Sequence, residues 1–150
     1  MNTLKRKALH LVFGSLVVTA APLLSGVANA SDKGRESIDV DIREWNLTLS
    51  KEKVRAGNVG FAVKNKGKET HELAIIKLNN NMMTATGRFP VDKHGHIDED
   101  RMDFGQIVGE IEEIKSGDNP KQLFKLEPGR YAIICNMLEQ EPDGSMEAHF

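Results

Sequence analysis

Gln122-Leu123-Phe124-Lys125-Leu126-Glu127-Pro128-Gly129-Arg130-Tyr131-Ala132-Ile133-Ile134-Cys135 is the stretch that decides how this chain is read. Proline and glycine at 128 and 129 force a turn, because one has a fixed φ and lacks an N–H while the other tolerates turn conformations. Two short strands therefore flank Glu127-Pro128-Gly129, and the second ends on the only cysteine of the chain. Upstream, His71-Glu72-Leu73-Ala74-Ile75-Ile76 reads as another strand, more uniformly apolar and so more central. Val59-Gly60-Phe61-Ala62-Val63 alternates with period two and runs into the Asn65-Lys66-Gly67-Lys68 turn. Ile38–Ile42 and Trp45–Leu49 carry the same alternation, and Ala56-Gly57-Asn58 punctuates after them. Short strands about ten residues apart, with turn signals between, predict an all-β sandwich with Greek-key connections.

From Asn79 to about Val108 the alternation fails. Asn79-Asn80-Asn81-Met82-Met83 and Asp92-Lys93-His94-Gly95-His96 are polar and weakly periodic, which predicts an excursion between the sheets. Asp98-Glu99-Asp100-Arg101-Met102 is read as a turn or two of helix within it.

The chain has 150 residues, 39% of them hydrophobic and 28% charged, which suits one soluble domain and leaves no room for separate cofactor and substrate lobes. All charge in residues 1–30 is basic (Lys5, Arg6, Lys7); residues 31–150 hold 17 basic and 22 acidic side chains, a formal charge of −5. A mildly acidic body without a Lys/Arg block argues against nucleic-acid binding. A single cysteine excludes an intramolecular disulfide framework and a multi-cysteine zinc site.

Residues 1–30 read as an export signal. Lys5-Arg6-Lys7 precedes an apolar stretch from Ala8 to about Leu24, and Ala28-Asn29-Ala30 supplies small residues for cleavage. Cleavage after Ala30 leaves residues 31–150 as the mature domain. Gly14, Pro22 and Gly26 favour this over an uncleaved anchor, and no later segment is apolar enough to span a membrane. An exported lone thiol is exposed to oxidation unless it is buried or ligates a metal.

His71 opens a strand, Cys135 closes one, and His149 follows Cys135 after a polar loop. Thiolate with two imidazoles is the donor set of a blue-copper site. At these residues the chain resembles the cupredoxin (type 1 copper) family, in its small periplasmic plastocyanin/azurin-like branch. The matching stretches are Val54-x-Ala56-Gly57, Val63-x-Asn65-x-Gly67, Thr70-His71-Glu72-Leu73, Leu126-x-Pro128-Gly129-x-Tyr131 and Ile134-Cys135-Asn136. The resemblance implies a cupredoxin-like Greek-key sandwich, with His71, Cys135 and His149 as copper ligands. It implies a periplasmic carrier of one electron by Cu(I)/Cu(II) cycling, a monomer that docks transiently with redox partner proteins and transforms no substrate.

Two departures stand out. The loop from Cys135 to His149 is long, and Glu139–Ser145 reads as an inserted hairpin tip turning at Pro142-Asp143-Gly144. The glycine-methionine pair and closing strand that follow the histidine in the family are lacking, so a truncated product or fragment is expected, with the last strand missing and an edge left open. The axial position is then vacant or filled by a backbone carbonyl near Thr70; Met146 precedes the histidine and is read as a loop contact.

Other candidates have plainer readings. His94 and His96 are solvated loop histidines, Met82, Met83 and Met102 are packing residues, and Trp45 is a core aromatic. Glu110, Glu112 and Glu113 form a solvated face or at most a docking patch. No nucleophile–base–orienter set is present, so an enzyme is not expected. Copper storage or delivery without redox turnover is the alternative function, and a metal-free interaction module is a third.

Overall fold

The computed structural model describes residues 13–20, 35–44, 46–79, 89, 91–94, 96–97, 103–140 and 142–148. They form eleven strands: β1 (Phe13–Thr19), β2 (Glu36–Arg43), β3 (Asn46–Leu49), β4 (Lys53–Arg55), β5 (Gly57–Asn65), β6 (His71–Leu78), β7 (Gly105–Ile114), β8 (Lys121–Leu126), β9 (Gly129–Ile134), β10 (Leu138–Gln140) and β11 (Met146–Ala148). Among the described residues there is no helix.

Two mixed sheets result, ordered β4-β1-β9-β6-β7 and β3-β2-β5-β8, with β10 and β11 as a separate hairpin. β1 with β4 and β2 with β5 are the parallel pairs; the others are antiparallel. Inward positions recur at every second residue, as in β2 (Ile38, Val40, Ile42) and β5 (Val59, Phe61, Val63). These interlock with Leu73, Ile75, Tyr131 and Ile133 of the larger sheet in one shared cluster, an arrangement compatible with a β-sandwich. At about 1.5–3 kcal/mol for each large apolar side chain removed from water, this layer dominates the stability of the fold. Gly109 of β7 lies directly against the Phe124 ring of β8: a Cβ there would sit 2.2 Å from it.

A second cluster covers the outer face of β6 and β9. Ala74, Ile76, Ala132 and Ile134 pack there against Ile97 and Phe104 of the excursion and Ala148 of the hairpin. β6 is thus buried on both faces, which accounts for its uniformly apolar sequence.

Two expectations are modified. β7 starts at Gly105, so the excursion ends sooner than Val108. Its burial lacks clean alternation, and one extra residue bulges opposite His71–Leu73, where Glu113 adopts φ 50°. β9 runs between β6 and β1, and β1 comes from the stretch read as the apolar part of an export signal, which was not expected to form a strand of the domain. The Pro142-Asp143-Gly144 turn does tip a hairpin, formed by β10 and β11. Trp45 and the helical turn expected over 98–102 lie outside the described residues. No helix among the described residues is long and apolar enough to cross a membrane.

Candidate metal centre

His71 is the first residue of β6 and Cys135 directly follows β9, the strand paired with β6. The antiparallel register sets Ala74 against Ile134, so the start of one strand meets the end of the other. Both side chains are 2% exposed, and Cys135 Sγ stands 3.7 Å from His71 Nδ1. Sulfur and nitrogen bound to one metal ion at ~2.3 and ~2.0 Å, with a bond angle near ~115°, would be about 3.6 Å apart. The pair therefore fits the bite of a shared metal.

The backbone around the sulfur is pre-arranged. The Glu72 amide donates to Cys135 Sγ at 3.4 Å, and the Met137 amide also hydrogen-bonds the thiol. Burial nevertheless pushes the Cys135 thiol up to about 11, outweighing these amides, and the Glu72 carboxylate adds to the rise. Without a metal the sulfur is a neutral thiol at ordinary pH. Binding a metal would have to displace its proton.

Three polar residues fix the segments that carry the pair. Asn65 continues the inward series of β5 and is 4% exposed; its Nδ2 donates to Glu69 O (2.7 Å) and Ile114 O (2.8 Å), while its Oδ1 accepts from Gly67 N (2.8 Å). Glu44 reaches the same turn, accepting from the amides of Lys68 and Glu69. Those two bonds hold its carboxyl down at about 2. Gly67 leaves room for it, since a Cβ there would lie 2.5 Å from Oε1 and push the carboxylate aside. On the cysteine side, Asn136 exchanges two hydrogen bonds with the backbone of Ile97 (2.8 and 3.1 Å), and its own amide donates to Glu72 Oε1 (2.8 Å). One residue thus ties the excursion, β6 and the cysteine together.

Sequence reading quoted Asn65, Glu72 and Asn136 within the family-like stretches but gave them no task, and Glu44 was missed. Asn65 had a usable signal: residues 59, 61 and 63 point inward, so 65 must as well.

Of the three predicted ligands, His71 and Cys135 are brought together, and His149 lies outside the described residues. Met82, Met83 and Met102 also lie outside them. His94 and His96 belong to a tight turn in which both amides donate to Asp92 Oδ1, at 2.8 and 3.0 Å. Met146 is 36% exposed. Among the described residues, no three His, Cys, Asp or Glu side chains gather closely enough to hold a metal ion. Compared with known proteins, the chain matches no family model, no curated protein and no solved structure.

Proposed function

We propose that this protein is a periplasmic copper-binding electron carrier with a cupredoxin-like Greek-key fold, in which His71, Cys135 and His149 are the metal ligands. The observation that carries the reading is the buried thiol–imidazole pair, 3.7 Å apart at the meeting ends of β6 and β9. A thiolate and imidazoles together suit copper. Bound there, copper would supply a one-electron couple.

The chain's own residues account for the rest. Burial of His71 and Cys135 keeps water from the donors, so little solvent has to reorganise when charge changes. The amides of Glu72 and Met137 already face the sulfur and stabilise its thiolate form. Asn65 and Asn136 hold the two ligand-bearing segments in one geometry whether or not charge moves. No substrate is transformed; partners dock transiently on a monomer, and residues 1–30 direct export.

Copper titration followed by visible absorption tests the reading. An intense blue or green band is expected, and Cys135→Ser should abolish it; the same band in that variant overturns the assignment. His71→Ala should lose far more Cu(II) affinity than His94→Ala or His96→Ala, and equal losses in all three would move the site to the excursion. Reversible electrochemistry with slow loss of metal to a chelator supports a carrier. Ready loss of metal without a reversible couple would make the protein a copper store or delivery protein.

A further inference from the structure

β1 fills a slot one strand wide. On one side Phe13–Val18 pairs antiparallel with β9, from Phe13↔Ile134 to Val18↔Gly129. On the other, Val17–Thr19 runs parallel to Lys53–Arg55 of β4. Val17 N–H donates to Glu52 O (2.8 Å), Ala56 N–H donates to Thr19 O (2.7 Å), and the Thr19 hydroxyl donates to Val54 O (3.3 Å). Leu16 is 0% exposed and Val18 3%, both within the cluster between the sheets, whereas Ser15 and Thr19 face solvent. Gly14 is pressed against β3: a Cβ there would sit 2.8 Å from Leu49 Cδ1 and 3.2 Å from Leu47 Cδ2. The slot therefore selects an extended, uncharged segment with a small residue, then Leu and Val, at every second position.

The same residues form the apolar run of the segment read as an export signal. A signal must be presented as a free extended or helical segment, and this one is also complementary to a groove in the domain that it precedes. We propose that the slot between β4 and β9 is a strand-binding site whose ligand is the chain's own Phe13–Thr19. The uncut chain folds with its leader built into the sheet, and folding and presentation of the leader exclude each other. Cleavage after Ala30 would cut β1 away from β9, so processing also controls whether the sheet is complete. The strand site stands on the pairing alone; its consequence for export rests on the signal reading.

The test uses the full 150-residue chain, made in a membrane-free translation system so that the leader remains. Amide exchange should be slow at Gly14–Val18, comparable to β9. Leu16→Asp should lower the melting temperature by on the order of 10 °C, while Ser15→Asp leaves it unchanged. A protease site placed between Ala30 and Ser31 should release a leader fragment that still co-elutes with residues 31–150, and the Leu16→Asp fragment should separate. Should Leu16→Asp not fold, exchange and co-elution of the wild-type segment decide. Free exchange at Gly14–Val18, or a cut leader that elutes alone, overturns the proposal. Copper titration of the same samples keeps the two readings apart: a coloured protein with freely exchanging leader amides sinks the strand site only, and a colourless one with protected amides sinks the metal site only.

Discussion

The two faces of the larger sheet are built differently. Its inner face meets the second sheet through residues that recur every second position along β2, β5, β6 and β9. Its outer face is covered by single residues, Ile97, Phe104 and Ala148, delivered from the excursion and the terminal hairpin. Both layers are equally dry: Phe61 in the first is 1% exposed and Phe104 in the second 0%. The difference lies in what holds the covering residues. β2, β5, β6 and β9 are each held by a ladder on both sides, whereas Ile97 is held by one isolated bridge to Val91 and by the side chain of Asn136. Equal burial does not imply equal rigidity.

Truncation of one aromatic in each layer gives the largest expected effects. Phe61→Ala should cost about 3–5 kcal/mol in global unfolding, because ladder-held neighbours cannot collapse into the cavity. Phe104→Ala should fall at or below the lower end of that range, with faster amide exchange confined to 91–97 and 103–107. Equal losses, with exchange unchanged in those segments, would remove the distinction.

Next comes the tie between the layers. Asn136→Ala leaves the buried N–H and C=O of Ile97 without their partner and should cost about 1–3 kcal/mol. Exchange at Ile97 should rise sharply while that of β5 does not. Wild-type exchange at Ile97 would show that the bridge to Val91 alone holds the excursion.

A smaller effect is expected from the turn that leads into β6. The Glu44 carboxyl is held at about 2 in the folded protein and has an ordinary value of 4.5 in the unfolded chain. The folded state thus favours the ionised form, and its contribution is complete above pH ~4.5 and lost as pH falls towards ~2. For this partly exposed group we expect roughly 1–2 kcal/mol after solvent screening. Glu44→Gln should flatten that limb of the urea-stability profile between pH 5 and pH 2; an unchanged slope would exclude Glu44 as its source. Smallest of all, Leu123→Thr on the solvent face of β8, where Leu123 is 48% exposed, should alter stability by no more than about 0.5 kcal/mol.

The contrast between the layers also explains what could be read in the sequence. Strands with one buried face declare themselves by alternation, so β2, β3, β5 and β8 were legible, and Pro128-Gly129 placed the turn before β9. The meeting of His71 and Cys135 was legible because both sit at strand ends, where ligands from separate strands converge. β7 was not, since its bulge and partial exposure erase the period-two signal. Ile97 and Phe104 are lone apolar residues in polar surroundings, and nothing local says which face they cover. β1 was not legible as a strand for a physical reason: the uniform apolarity that suits an export signal also suits a strand buried in a sheet. Glu44 was invisible because its task is to cap amides 24 and 25 positions further along the chain.

The register of β1 carries a consequence in time. Its ladder joins Phe13 to Ile134 and Val18 to Gly129, so roughly 110–120 residues separate the paired segments. A ribosome adding about 5–20 residues per second needs roughly 6–24 s to make that interval. Throughout it β1 has been synthesised and β9 has not, so the main partner of the leader does not yet exist. Slow synthesis lengthens this window and fast synthesis shortens it. The chain order, with β1 waiting for β9, thus leaves an interval in which Phe13–Thr19 is free of its main partner, and under the proposed reading that interval is the window for export.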